Sequence, residues 1–309
     1  WITPSDATAF VASSRTKYDR HGNPIALYDP LADADSPVAG GHFRELAYDP
    51  DFHSYPVRET IHVGGGKPPL IFEAAYDQGL AVVTTGIGFN GQATEYGYDA
   101  LGRLTQVIKP GDTRDLPTTE YDYALAVPVG DLGMVNHVET RALDQTPGSV
   151  ANKREHYQVS RQYLDGLGRP LMTRSEAEPE VGSTAPRVAV SGAVLFNARQ
   201  KPARTLNPFF TRRIGSLEEL LAFEAIAAPD WQGQFHQDGS LVSLDLASAH
   251  SSTTRYDATL RAVETRNPDG STGRTVYEPL VIRAYDENDN DPASTHTATP
   301  RIQFSDGLG

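Results

Sequence analysis

Tyr98-Asp99-Ala100-Leu101-Gly102-Arg103-Leu104 is a phrase that recurs in imperfect copies along almost all of this 309-residue chain. The other copies are Tyr18-Asp19-Arg20-His21-Gly22-Asn23-Pro24, Leu164-Asp165-Gly166-Leu167-Gly168-Arg169-Pro170, Phe196-Asn197-Ala198-Arg199-Gln200-Lys201-Pro202 and Tyr256-Asp257-Ala258-Thr259-Leu260-Arg261-Ala262. Each copy begins with tyrosine, phenylalanine or leucine, followed by aspartate or asparagine. A repeat of this kind decides the architecture before any single residue can indicate a function.

The phrase has the chemistry of a tight turn between two strands. The Asp99 carboxylate can accept a hydrogen bond from the backbone N–H two residues on, and Gly102 can adopt a positive φ without a Cβ clash. Tyr98 and Arg103 then belong to two antiparallel strands, with the aromatic ring packed across the pair and the guanidinium available to a neighbouring carboxylate. Each copy is therefore predicted to be a β-hairpin, called a YD hairpin below. The predicted structural turn residues are Tyr18, Asp19, Gly22, Tyr98, Asp99, Gly102, Arg103, Asp165, Gly168, Arg169, Tyr256, Asp257 and Arg261.

Two copies depart from the phrase at the turn glycine, where Gln200 and Leu260 stand instead. A side chain at positive φ is unfavourable in such a turn. We therefore predict that these two turns use another backbone geometry or a longer loop.

A second kind of turn separates the hairpins, at Asn90-Gly91-Gln92, Pro110-Gly111-Asp112 and Asn267-Pro268-Asp269-Gly270-Ser271. Seven residues lead from Gly91 to Tyr98 and from Gly270 to Tyr277, which is the length of one ordinary strand. The 27 glycines and 22 prolines are spread through the chain, as many tight turns require. These patterns predict an all-β fold, with one extended antiparallel sheet of YD hairpins over residues 1–309 and no domain boundary.

Charge and composition exclude several classes of function. The 27 basic and 40 acidic residues give a net charge of −13, which would repel a polyanion, so we expect no nucleic-acid binding. No apolar segment approaches the roughly 20 residues that span a bilayer, so we expect no membrane span. The chain has no cysteine, which removes disulfides, thiolate catalysis and cysteine-ligated zinc.

One segment breaks the strand pattern, within an insertion at 203–250. Ser216 is a good N-cap, Glu219 completes a capping box, and Pro229 ends the apolar run that follows. We predict one short helix at 216–228. The helix is either a plug, lid or partner-docking element, or a cover over an apolar patch or sheet edge.

No catalytic constellation is evident, and we predict no catalytic residue and no cofactor. The nine histidines are scattered, without a close metal-ligand pair. The best site-like signal is a set of alternating oxygen side chains, Asp286, Asn288 and Asn290, arranged as in a calcium loop. The likeness fails further on, because Asp291 occupies the glycine position and Thr297 that of the bidentate glutamate. The alternative is an acidic hairpin loop in water.

The YDALGR and YxDGLGR forms at Tyr98–Arg103 and Tyr163–Arg169 resemble the YD-repeats of Rhs proteins. Together with a helix-bearing insertion, they look most like the repeat shell region of the B component of bacterial insecticidal toxin complexes, the Tc toxins. The resemblance covers residues 17 to 309. Gln303–Gly309 repeats Gln162–Gly168 and stops before an equivalent of Arg169, so we expect a fragment of a longer protein.

This resemblance implies a structural role outside the cell. The repeats of such proteins curl into a hollow shell or barrel that encloses a C-terminal toxin or effector, and the shell itself is not an enzyme. The implied partners are further repeats of the same polypeptide, the enclosed toxin or effector, and other toxin-complex subunits. The implied location is secreted or extracellular, from a bacterium. The family's self-cleaving protease motif does not occur here, so no catalytic residue carries over.

A different class of function is also open. Tyrosine-rich hairpins could present aromatic rings to sugars, which would suit an extracellular adhesion or carbohydrate-binding surface.

Overall fold

A computed structural model describes residues 13–30, 32, 42–128, 134–144, 156–210, 216–222, 234–237, 240–243 and 251–306. The chain forms two compact units. The first comprises residues 1–121 and 142–157, and the second comprises residues 122–141 and 158–309. No sequence feature marks this division, because the same hairpin chemistry runs through both units.

The first unit is a meander of antiparallel strands, in which each strand pairs with the next along the chain. Its strands are β1 (Arg15–Tyr18), β2 (Pro24–Tyr28), β3 (Phe43–Tyr48), β4 (Pro56–His62), β5 (Leu70–Asp77), β6 (Val82–Ile87), β7 (Ala93–Tyr98) and β8 (Leu104–Ile108). Two longer strands, β9 (Thr119–Pro128) and β10 (Met134–Leu143), each contain residues of both units. This strand order follows from the hairpin connections, since short turns join only neighbouring antiparallel strands.

The second unit contains antiparallel sheets of the same kind. Its elements are β11 (Tyr157–Leu164), β12 (Pro170–Ala177), β13 (Arg187–Ser191), β14 (Val194–Phe196), β15 (Pro202–Leu206), β16 (Phe209–Phe210), α1 (Leu217–Leu221), β17 (Gln234–Gln237), β18 (Ser240–Ser243), β19 (Ser251–Tyr256), β20 (Ala262–Arg266), β21 (Thr272–Glu278), β22 (Val281–Tyr285), α2 (Glu287–Asn290) and β23 (Arg301–Phe304). The strand orders are β11-β12-β13-β16, β14-β15-β19-β20-β21-β22-β23 and β17-β18. The predicted all-β fold of antiparallel YD hairpins is confirmed, but the prediction of one extended sheet is wrong, because the described strands form more than one sheet.

The strand register shifts by one residue at the first residue of each YD phrase, and also at two further Tyr-Asp pairs, Tyr48-Asp49 and Tyr76-Asp77. The shift falls at Tyr18, Tyr48, Tyr76, Tyr98, Leu164, Phe196 and Tyr256. Such a bulge locally bends a strand, increases its twist and re-aims a side chain. The recurrence of the bulge makes it part of the repeat.

The apolar core of each unit is small and lies on one face of its sheet. In the first unit Phe43 stacks between Tyr28 and His62, with ring centroids 5.5 and 3.9 Å away. In the second unit a cluster includes Tyr163 and Val190, which are 2 and 1% exposed. Cross-strand neighbours share a face, so the alternating side chains of these strands supply both clusters.

Helix α1 begins where the sequence predicts, after Ser216. The Glu219 carboxylate accepts hydrogen bonds from the Ser216 backbone N–H and hydroxyl at 2.8 and 3.0 Å, which is one half of a capping box. Leu221 is 1% exposed and packs on Val188. Residues 223–228 of the predicted helix lie outside the described part of the chain.

The prediction of only one helix needs correction, since the structure contains a second short helix, α2. Asp286 caps it, accepting a hydrogen bond from the Asp289 backbone N–H, and the Asp289 side chain accepts one from the Asp286 backbone N–H. This reciprocal capping box satisfies two backbone donors that would otherwise lack partners at the start of a helix. The alternating oxygen side chains of Asp286, Asn288 and Asn290 are typical of a loop, but Asp286 and Asp289 are also good helix caps.

Candidate functional site

The YD turn is built around a single carboxylate. One oxygen of Asp99 accepts hydrogen bonds from the backbone N–H groups of Leu101 and Arg103, both at 2.9 Å. The other oxygen accepts from Arg103 Nε at 2.6 Å. Two backbone bonds between Asp99 and the residues three and four positions on close the turn, and Gly102 has a φ of 75°. The predicted roles of Asp99 and Gly102 are both present, and the arginine pairs with the aspartate of its own turn.

The same geometry recurs in the turns that begin at Asp165 and Asp257. Their second carboxylate oxygens accept from Arg169 Nε and Arg261 Nε, each at 2.7 Å. In the turn that begins at Asp19, Asn23 takes the place of arginine and donates its amide N–H to the carboxylate at 3.1 Å. The predicted turn residues are therefore brought together within each hairpin.

The prediction for the two turns without glycine is wrong. Gln200 and Leu260 have φ values of 63° and 67°, and both make the backbone bond of the glycine turn, to Asn197 and Asp257. The left-handed region costs a non-glycine residue roughly 1–2 kcal/mol. The side-chain and backbone hydrogen bonds of the first turn residue hold this conformation despite that cost.

These hydrogen bonds stabilise the charged form of the turn aspartates. Donation from the Arg261 backbone N–H is the main cause that lowers the pKa of Asp257 to about 2, against the opposing effect of burial. Burial acts to raise the pKa of Asp49, yet the backbone N–H groups of its longer turn outweigh it and bring the pKa to about 2. The pKa of Asp99 is lowered chiefly by the Arg103 backbone N–H. A carboxylate that accepts several N–H donors is expected to behave this way.

A second contact, made by tyrosine, links several YD hairpins to the preceding one, whereas the phrases that begin with Leu164 and Phe196 have no hydroxyl at this position. The hydroxyl of Tyr98 donates to the backbone carbonyl of Val83 at 2.8 Å. Val83 is the strand partner of Tyr76, the tyrosine of the previous hairpin. The tyrosine hydroxyl of one repeat therefore holds the backbone of the repeat before it.

The same tyrosine contact recurs in both units, always with the strand partner of the preceding hairpin's first residue. Tyr48 donates to Pro24, Tyr76 to Pro56 and Tyr256 to Pro202, at 3.2, 3.0 and 2.8 Å. Those prolines are the strand partners of Tyr18, Tyr48 and Phe196, respectively. We call these four contacts the tyrosine ladder. Burial raises the pKa of Tyr48, Tyr76 and Tyr98, which are half-buried residues.

Arginines of the turns reach forward to the next hairpin in the second unit. Arg169 donates to the Gln200 carbonyl at 3.3 Å and lies 4.2 Å from the centre of the Phe196 ring. Arg199 donates to the Ala258 carbonyl at 3.2 Å. Arg261 lies 4.4 Å from the centre of the Tyr277 ring. The turns of successive hairpins therefore form a connected row.

Neither the ladder nor a buried ion pair was found from the sequence. The ladder has a sequence signal at three of its four contacts, since the carbonyl used there belongs to a proline that follows a turn, at Pro24, Pro56 and Pro202. The ion pair joins Arg161 and Glu139, whose side chains are 10 and 5% exposed, across 2.6 Å. These two residues are 22 positions apart and carry no local pattern.

The predicted calcium residues have helical roles. Asp286 is the N-cap of α2, and the Asn290 side-chain amide donates to the backbone carbonyls of Thr272 and Asp286 at 2.8 and 2.7 Å. Asn288 lies on α2 between them. Among the described residues no group of three or more histidines, cysteines or acids is placed to hold a metal ion. No helix of the described residues is long and apolar enough to cross a membrane.

Comparison with known proteins identifies the repeat. A family model described as RHS Repeat matches residues 88–114, which contain the turn from Asp99 to Arg103. None of the curated proteins compared with the chain matches it.

Solved structures extend the likeness to nearly the whole chain. The crystal structure of TcdB2-TccC3 has a TM-score of 0.61 at 19% identity, over 96% of this chain and 15% of that chain. The crystal structure of TcdB2-TccC3-TEV gives 0.62 at 16% identity, over 96% of this chain and 17% of that one. A Tc holotoxin pore from Photorhabdus luminescens, with a TccC3 variant, also gives 0.62 at 16% identity and the same coverage. The chain therefore has an Rhs-type fold and spans about 15–17% of the length of these proteins.

Proposed function

We propose that this chain, with its Rhs/YD repeats, is a section of a hollow wall that encloses a C-terminal toxin or effector of a secreted bacterial protein. The observation that carries the proposal is the tyrosine ladder. It joins a hairpin to the one before it at Tyr48, Tyr76, Tyr98 and Tyr256, each time through the strand partner of the preceding hairpin's first residue. A structure extended by identical steps suits a wall, because each added repeat buries its faces on the last.

The side-chain chemistry supports a structural role over a catalytic one. The turn aspartates are held as charged hydrogen-bond acceptors by their own turns, with pKa values lowered to about 2 at Asp49 and Asp257. A general acid near neutral pH needs a raised pKa instead. These carboxylates therefore act as hydrogen-bond acceptors for backbone N–H groups, and the proposed wall is not an enzyme.

The tyrosines also bear on the alternative of a sugar-binding surface. The ladder hydroxyls donate to backbone carbonyls within the sheet, so they are committed to the fold. No observation favours adhesion over enclosure, and the adhesion role stays a prediction.

Partners and location follow from the same proposal. The wall would join further repeats of its own polypeptide and other toxin-complex subunits, and it would act outside the bacterial cell. The surface charge of −13 suits a secreted protein that stays dispersed in solution.

Limited proteolysis of the natural polypeptide that carries this sequence tests enclosure. The segment that follows the repeats is expected to resist protease while the wall is intact. It should be cut rapidly after the wall is opened by a urea concentration that unfolds the repeats. Equal cutting rates before and after opening would contradict enclosure.

A further inference from the structure

Two histidines join the turn from Asp19 to Asn23 to the turn of the next hairpin, at residues 49–55. The imidazole rings of His21 and His53 stack, with their centroids 4.3 Å apart and an angle of 18° between their planes. Beside these rings the Asn23 side-chain amide donates to the His53 backbone carbonyl. The pair of rings, called the histidine stack below, therefore connects the tips of two successive hairpins.

The contacts of the histidine stack require His21 to be neutral. Arg20 Nε donates a hydrogen bond to His21 Nε2 at 2.9 Å. A guanidinium can only donate, so Nε2 must present its lone pair and the ring proton lies on Nδ1. A proton added to Nε2 would replace this hydrogen bond by two positively charged N–H groups that face each other.

Protonation of both rings also places like charges across the stack. Two imidazolium rings repel each other at this distance, and the guanidinium of Arg20 adds a third positive charge beside them. Histidine is the side chain whose charge ordinarily changes between pH 5 and 8. Because His21 is exposed and His53 is half-buried, protons from solvent reach both rings. Acidification in this range therefore works against the stack.

The turn carboxylates keep their charge in this range and moderate the repulsion. The ionisable groups beside the stack are Asp19 and Arg20 on the first hairpin and Tyr48, Asp49 and Asp51 on the second. Burial acts to raise the pKa of Asp19, but the backbone N–H groups of its own turn outweigh burial and lower the pKa. The same balance holds at Asp49. These hydrogen bonds hold both carboxylates in their turns, so neither is released to take the place of a lost ring contact.

We propose that the histidine stack is a pH-sensitive latch, which holds the turn at 19–23 on the turn at 49–55 near neutral pH and releases it as the pH falls toward 5. The pairing of β2 with β3 and the hydrogen bond from Tyr48 to Pro24 do not use an imidazole. Release therefore frees the turn without separating the two hairpins. The latch does not depend on what the proposed wall encloses, so it can fail while enclosure stands.

Hydrogen–deuterium exchange of the full chain at pH 8 and pH 5 tests the latch. The backbone N–H groups of residues 21–23 hydrogen-bond to Asp19, and those of residues 101–103 make the same bonds to Asp99. The turn at 99–103 contains no histidine and is the control within the same molecule.

The expected result is a change in the relative exchange of these two turns. After correction for the intrinsic effect of pH on exchange, the rate at 21–23 relative to 101–103 should rise about two- to tenfold at pH 5. This range corresponds to the loss of one aromatic pair. An unchanged ratio would overturn the proposal.

Substitutions of His21 separate the latch from a general loosening in acid. His21→Phe keeps a ring that can stack but cannot titrate, so the relative exchange rate should be the same at both pH values. His21→Asn removes the ring, and its turn should exchange fast at both. His62→Gln is the matched control, since His62 bonds Glu45 at 2.8 Å on the sheet and should leave the pH response intact. A pH response that persists in His21→Phe, or that disappears in His62→Gln, would refute the latch.

Discussion

The YD turns that begin at Asp99, Asp165 and Asp257 each concentrate four kinds of hydrogen bond on one aspartate. In the turn from Asp99 to Arg103, the carboxylate binds two backbone N–H groups and one guanidinium, while the backbone of Asp99 closes the turn in both directions. Charged acceptors form stronger hydrogen bonds than neutral ones. The aspartate therefore sets both the shape of the turn and the position of the arginine.

The strained turn at Gln200 offers a direct test of this account. Replacing Gln200 by glycine removes the cost of a side chain at a φ of 63° and should raise the free energy of unfolding by about 1 kcal/mol. Urea denaturation measures the change. Ala198→Gly in the same turn is the control and should give no gain, because Ala198 is not at positive φ. Equal effects of the two substitutions would refute the account.

Removing the hydroxyl oxygen of one tyrosine breaks one contact of the tyrosine ladder. Tyr98→Phe loses the hydrogen bond to the Val83 carbonyl and should lower the free energy of unfolding by about 1 kcal/mol. Tyr96→Phe, on the same strand, is the control and should change stability by a few tenths at most. The same urea experiment compares them, and a Tyr98→Phe protein as stable as the unaltered one would count against the ladder.

The turn carboxylates make stability depend on acidic pH. The pKa of Asp257 is about 2, below its ordinary value of 3.8, so its contribution is fully present above about pH 4 and is lost as the pH falls toward 2. Asp257→Asn keeps a turn former, as Asn197 shows, but cannot titrate there. We expect unfolding free energies measured at pH 4, 3 and 2.5 to fall less steeply in this variant. Asp51→Asn, on an exposed loop, is the control, and the unfolding free energy of this variant should fall with pH as steeply as that of the unaltered chain.

At this scale the sequence predicted local chemistry well and distant contacts poorly. The roles of Asp99 and Gly102 depend on residues within the turn, so the phrase itself contains them. The rung from Tyr98 to Val83 spans 15 positions and depends on strand register, which no local pattern defines. The positive φ of Leu260 was missed because the hydrogen bonds of a turn can outweigh the preference of one residue.

Among the elements, the repeating bulge and the helix α1 matter most. The bulge at the first residue of each YD phrase turns its side chain, and where that residue is tyrosine the ring lies toward the preceding hairpin. Helix α1 packs on strands β12 and β13, where Leu221 meets Val188 and the Tyr163 hydroxyl donates to the Leu221 carbonyl at 2.6 Å. These contacts agree with the interpretation of the helix as a cover over an apolar patch.

Truncation of Leu221 tests whether α1 stabilises the sheet beneath it. Leu221→Ala removes a side chain that is 1% exposed and should lower the free energy of unfolding by about 2–5 kcal/mol. Leu280→Ala is the control, since Leu280 is 55% exposed in a turn, and its effect should stay within about 0.5 kcal/mol. If Leu221→Ala were as mild as the control, α1 would not be part of the core.

The helix start at Ser216 was predictable because a capping box is a local pattern, as was the existence of the hairpins. The helix α2 was not predicted, since Asp286, together with Asn288 and Asn290, resembles a metal ligand as closely as it resembles a cap. The surrounding strands decide between these outcomes, as Asn290 bonds the Thr272 carbonyl of β21. A short sequence motif does not predict tertiary contacts of this kind.

At the scale of the whole molecule, the chain is a series of equivalent steps. The turn fixes each hairpin, the tyrosine ladder joins four of the hairpins to the previous one, and arginines such as Arg169 reach the next. The likeness to the crystal structure of TcdB2-TccC3 over 96% of this chain shows that a section of a larger protein has a similar fold. The proposal that the protein encloses a toxin or effector rests on this wall of repeated hairpins.

Electron cryomicroscopy of the natural polypeptide that carries this sequence tests the central claim most directly. The account predicts a hollow particle in whose wall this chain lies as a curved sheet, with the tyrosine ladder continuing from hairpin to hairpin around an internal cavity. A solid globule without a cavity, or a wall that excludes these residues, would contradict it.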